Sequence, residues 1–172
     1  MTRMKLKRLI LTYWKTIHNM IILGIDPGSA LIGYGAIKND HKRLECLDYG
    51  VIRVKAKDDS LRLVEVKKSL RKIISRIKPD RVILEKLFFF KNRKTVIQVS
   101  QARGVIILTL AENKIPFVEI APLELKRALT GYGQASKGNI QKMVKLILNL
   151  REEPRPDDAA DALALAILGA GA

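Results

Sequence analysis

Between Met20 and Val54 the chain makes three apolar runs in quick succession: IILGI at 21–25, GYGAIK at 33–38 and LECLDYGVIRV at 44–54. Short apolar runs bounded by turn residues read as strands. The polar turn NDHKR and the closeness of all three predict antiparallel hairpins. Beyond them strands alternate with helices. Residues 60–77 carry Leu61, Val64, Ile73, Ile74 and Ile77 at helical spacing, with Ser60 as cap and Pro79 after the end. RVILE (81–85) and PFVEI (116–120) are further strands, and 94–112 is a long helix apolar on more than one face. Pro122 opens a helix to Leu129, GYGQASKG is a loop, 139–150 is helical, and PRPDD opens an Ala- and Leu-rich helix to Ile167. Hairpins followed by alternation predict an α/β fold, a mixed five-stranded sheet with helices on both faces.

At 172 residues the chain suits one domain, and the only boundary drawn is at Met20. Lys and Arg number 32 against 17 Asp and Glu, a formal net charge of +15. Such an excess calls for a polyanion; nucleic acid is the reading taken, an anionic membrane surface the alternative. No apolar run approaches the ~20 residues of a membrane span. The lone Cys46, in an apolar stretch, reads as a buried structural thiol. His18 and His41 lack metal-ligand spacing. All of this fits a reducing, cytoplasmic compartment.

Four carboxylates stand at the margins of apolar elements, where an ionised acid needs a partner. Asp26 follows IILGI in the segment GIDPGS, Glu85 ends RVILE, and Asp158 and Asp161 lie three apart in DDAADALALA. That spacing puts the last two on one helix face. A shared divalent cation would satisfy all four, and an oxygen-only donor set selects Mg²⁺ or Mn²⁺. Taken singly, each has a plainer reading. DPGS is ordinary turn chemistry, and Glu85 suits a strand-end ion pair. Asp157 is assigned to capping. GIDPGS also resembles the first phosphate motif of the actin and sugar-kinase ATPases, but this chain is too short for their two domains.

In family order and spacing, GIDPGSALIGYG, ILEKLFFFKN, QARGV, LTGYGQASKG and PDDAADALALA resemble the RuvC crossover-junction endodeoxyribonucleases. The resemblance runs from Met20 to about Leu168. It implies an RNase H-like fold and a homodimer that resolves four-way (Holliday) DNA junctions by paired symmetric nicks. It also implies two Mg²⁺ ions per site, with Mn²⁺ able to substitute, and work beside a branch-migration motor. Asp26, Glu85, Asp158 and Asp161 match the family's catalytic, metal-binding acids. Phe88 matches an aromatic presented to the junction's bases; a core Phe is its plainer reading. Lys126 and Lys137 match basic positions near the scissile phosphate, and Lys137 is also given a catalytic part; a solvated lysine is the plainer reading of both. Val96, Val99, Ala102 and Val105, with Gly104, are assigned to the dimer seam. Residues 1–19 have no counterpart in the pattern. They are either a basic DNA-binding arm or lie ahead of a true start at Met20, the reading favoured. The competing functions are a ribosomal-RNA processing nuclease of the same fold and a non-catalytic junction-binding protein. The aromatic run and ASKG loop speak against the first, the four retained acids against the second.

Overall fold

The computed structural model describes residues 19–40, 43–87, 95–131, 133 and 136–171. The strands are β1 (Asn19–Asp26), β2 (Leu31–Asp40), β3 (Arg43–Arg53), β4 (Arg81–Glu85) and β5 (Phe117–Ile120). The helices are α1 (Asp59–Ile77), α2 (Val96–Glu112), α3 (Pro122–Thr130), α4 (Lys137–Ile147) and α5 (Asp157–Gly171). The sheet order is β3-β2-β1-β4-β5. β1 to β3 form the expected antiparallel meander, and β4 and β5 run parallel to β1. The alternation of side chains along a strand sends Leu23, Ile25, Val82 and Leu84 to a core shared with α1 and α2. Ile22 and Ile83 go to the opposite core, shared with α3, α4 and α5. Helices therefore cover both faces, as the sequence predicts.

α5 lies unusually close to the sheet because glycines face it. A Cβ on Gly33 would overlap the carbonyl oxygen of Asp158, and one on Gly24 that of Ala162. A Cβ on Gly35 would stand 2.6 Å from the Leu163 nitrogen. Only bare backbone permits this approach, and it fixes where α5 begins and how it runs.

Several local expectations need correction. Asp58, not Ser60, caps α1: its carboxylate accepts from the Leu61 amide at 2.9 Å and from the Ser60 hydroxyl at 2.5 Å. The buried stripe of α1 is Val66, Leu70, Ile73, Ile74 and Ile77, whereas Leu61 and Val64 are exposed. Val64 stands two residues before Val66, roughly 200° around the helix, and so faces away. Ala102, assigned to the dimer seam, is 5% exposed and belongs to the monomer's own core beside Ile106 and Leu110. Val105 packs against that same core. The outward residues of α2 are instead Ile97, Gln101, Gly104 and Leu108. Cys46 is only half-buried; burial and the neighbouring Asp48 charge push its thiol up to about 11, so it is inert at neutral pH. Met20 is already the second residue of β1, paired with Asn39. Residues 1–18 lie outside the described residues. No described helix is long and apolar enough to cross a membrane.

Candidate active site at the end of the sheet

Asp26 is the last residue of β1 and Glu85 the last of β4. The two strands are parallel neighbours with Ile25 opposite Leu84, so the acids stand side by side one step further on. Ile25 and Leu84 face α1 and α2; by alternation Asp26 and Glu85 face the α5 side. Asp26 also pairs with Gly33 across the β1–β2 ladder. Over Gly33 lies Asp158, whose Cβ comes 3.1 Å from the place where a Gly33 side chain would begin. Asp161 follows at the next turn of α5. One chain of neighbours thus links β4, β1, β2 and the first turn of α5. All four acids are only partly exposed.

The start of α5 is held from the side. Gln141 of α4 donates to the Asp157 carboxylate at 3.0 Å and to the Pro154 carbonyl at 3.2 Å. Asp157, expected to cap the helix, is its first residue and the acceptor of this bridge. The N-terminal end of α5 brings its positive dipole to the end of the sheet where the acids stand. Gln141 was missed from sequence, because an isolated glutamine on an amphipathic helix carries no signal.

Glu85 also borders a cleft of about 470 Å³, walled by Pro27, Val96, Val99, Pro122 and Leu123. Lys126 lines the same cleft, so the structure brings this lysine and the β4 acid to one opening. Lys137 is not within the GYGQASKG loop: it is the first residue of α4, with Ser136 as N-cap accepting from the Asn139 amide at 3.3 Å. The Lys137 side chain and Phe88 lie outside the described residues.

The donor set at this end of the sheet is carboxylate, with no thiol or imidazole among the four, which suits a hard cation. Among the described residues no group of three Asp, Glu, His or Cys is already closed around an ion-sized space. The acids lie toward one end and one face of the sheet without forming a preset cage.

Residues 22–169 match the family model of the crossover junction endodeoxyribonuclease RuvC. A protein of that name from Petrotoga mobilis is 51% identical over 149 residues, covering 86% of this chain and 91% of its own. Its namesake from Moorella thermoacetica is 46% identical over 149 residues, covering 86% and 89%. Among solved structures, Thermus thermophilus RuvC in complex with a Holliday junction substrate superimposes with a TM-score of 0.79 at 30% identity, covering 86% of this chain and 91% of that one. The yeast mitochondrial Holliday junction resolvase Ydc2 shares the fold, with a TM-score of 0.62 at 14% identity, covering 96% and 85%. A mixed five-stranded sheet with helices on both faces, arranged in this way, is the RNase H-like nuclease fold. This chain belongs to the RuvC family of crossover junction endodeoxyribonucleases.

Proposed function

We propose that this protein is a structure-selective endonuclease that resolves four-way DNA junctions by paired symmetric nicks, in recombination and repair in the cytoplasm. The observation that supports the reading is that Asp26 and Glu85 end neighbouring strands and Asp158 lies over the Gly33 partner of Asp26, in a chain 51% identical to a crossover junction endodeoxyribonuclease. Asp26, Glu85, Asp158 and Asp161 would hold two Mg²⁺ ions, or Mn²⁺ in their place. Bound there, the cations would lower the pKa of water and offset charge on the departing oxygen. The protein's own part is to orient these carboxylates and to seat the phosphate. Water attacks phosphorus in line, the bond to the 3′ oxygen breaks, and a 5′-phosphate and a 3′-hydroxyl remain. Lys126, at the cleft beside Glu85, binds backbone phosphate. Lys137 at the start of α4 faces the same task and stabilises the departing oxygen. Phe88 meets the unstacked bases of the crossover. A net charge of +15 supplies the sequence-independent part of DNA affinity.

The discriminating experiment offers the full chain a four-way junction, a linear duplex and a structured RNA, each with and without Mg²⁺. Cleavage of the junction alone, and only with Mg²⁺, is expected. Preferential cutting of RNA would favour the ribosomal-RNA nuclease reading, and tight junction binding without cutting the binding-only one.

Two opposed cuts require two sites, and a two-fold axis matches that of the junction. The proposed seam is the outward face of α2. Ile97 is 68% and Leu108 52% exposed, and a Cβ on the intervening Gly104 would meet nothing within 4 Å. Two exposed apolar side chains on either side of a bare glycine suit a second copy of the same helix. Leu108→Asp, rather than any change at the buried Ala102, is therefore the informative variant. It is expected to sediment as a folded monomer where the wild type is a dimer at micromolar concentration, and to nick a supercoiled cruciform plasmid without linearising it. A Leu108→Asp chain that stays dimeric would move the seam elsewhere. A branch-migration motor is the proposed working partner, on the strength of the family resemblance.

A further inference from the structure

We infer that Arg62 of α1 is a positioning residue for Asp26, acting through the loop that follows it. The inference rests on the reading of Asp26 as a metal-holding acid. The β1–β2 ladder ends at the Asp26–Gly33 pair, so beyond Asp26 the chain leaves the sheet. The segment Pro27–Ala30 needs other anchors. One is the Val54 amide, which donates to the Ala30 carbonyl at 2.9 Å. Another is Arg62: its Nη2 donates to the Ser29 carbonyl, and its Nη1 to the Ala56 carbonyl at 3.3 Å.

Arg62 thereby joins three segments: the loop after β1, the segment after β3 and the first turns of α1. The second of these is itself fixed. One carboxylate oxygen of Glu65 accepts from the Lys55 amide at 2.9 Å and the Ala56 amide at 3.0 Å. Those two bonds hold the Glu65 carboxyl below its ordinary range. The guanidinium thus reaches from a firm support to the loop beside the acid. Its planar fork can serve two carbonyls at once, which an ammonium on a flexible stem does with less order. The loop has little slack: a Cβ on Gly28 would overlap the Leu31 carbonyl. Asp26 closes β1, so the loop on its far side shares in fixing where its carboxylate stands. Removing the clamp leaves the Asp26 side chain in place but widens the range of positions it samples.

The test uses the full chain with Arg62→Ala and Arg62→Lys. The first readout is amide hydrogen exchange without metal. Exchange at 28–31 is expected to quicken about tenfold in Arg62→Ala and less in Arg62→Lys, with the β1–β4 core unchanged. The second is the Mg²⁺ concentration giving half-maximal junction cleavage. A rise of about tenfold is expected for Arg62→Ala, typical of losing a residue that supports a metal ligand. Maximal rate should largely recover at saturating Mg²⁺, metal-free junction affinity should hold, and Arg62→Lys should fall between. Wild-type loop exchange and wild-type Mg²⁺ dependence in Arg62→Ala would overturn the inference. So would faster exchange throughout the sheet with no intermediate behaviour in Arg62→Lys, since Arg62 would then merely hold the fold. If the wild type cut no junction at any Mg²⁺ concentration, the nuclease reading would fall, and loop exchange alone would decide the clamp: quickened supports it, unchanged overturns it.

Discussion

Asp26→Asn is expected to slow junction cleavage on the order of a thousandfold or more, the scale of losing a central catalytic group. Junction affinity should stay within about twofold. The substitution keeps the shape of the side chain and replaces one oxygen by NH₂, removing the charge and one ligating atom. The fold has no reason to respond, because β1 is anchored by Ile22, Leu23 and Ile25, all at most 1% exposed. Affinity should hold because it derives from the basic surface, and losing one carboxylate makes the chain slightly more basic. Glu85→Gln and Asp161→Asn are expected to behave alike. The measurement is single-turnover cleavage of an end-labelled four-way junction in Mg²⁺, with binding followed separately in metal-free buffer. Substantial nicking by Asp26→Asn would remove Asp26 from the proposed metal site.

Much of the candidate site is legible in the sequence, for a physical reason. A carboxylate closing an apolar strand is costly, so IILGID and RVILE each announce an acid at a strand end. Parallel pairing of the two strands then sets those ends together. Helix spacing likewise puts Asp158 and Asp161 on one face of α5. What brings α5 to Asp26 was not legible. It is the absence of side chains at Gly24, Gly33 and Gly35, and a glycine in a strand reads equally as a bulge, a bend or a close approach. Arg62 was invisible for another reason: among 32 basic residues one more arginine on a helix looks solvated. Its two carbonyl acceptors lie 33 and 6 residues away in sequence. The stretch KDDS offers adjacent capping residues, and only the backbone shows that Asp58 takes the role. α2 misled in the opposite sense. A helix apolar nearly all round gives no angular signal, so Ala102 could be placed on the seam when it points into the core.

Because α5 owes its seat to bare backbone, Gly33→Ala is the second change expected to act strongly. A methyl at Gly33 would overlap the Asp158 carbonyl oxygen, an atom that cannot rotate away as a side chain can. Either α5 lifts from β2 or β2 bends. Overpacking of this kind typically costs about 1–3 kcal/mol, and the upper end is expected where the methyl meets fixed backbone. For a chain of this size that lowers Tm by roughly 5–10 °C. The lift also carries Asp158 away from its place beside the Asp26–Gly33 pair. Cleavage should therefore fall further than the loss of folded protein explains, by about a hundredfold at a temperature where the variant is still fully folded. Gly171→Ala is the control, since its Cβ would meet nothing within 4 Å near the end of the same helix. Thermal melting followed by circular dichroism, with cleavage rates taken well below both transitions, separates the two effects. A Gly33→Ala chain that melts with the wild type and cuts at its rate would mean that α5 does not press on β2 at this point. Asp158 would then lose its place among the acids at the end of the sheet.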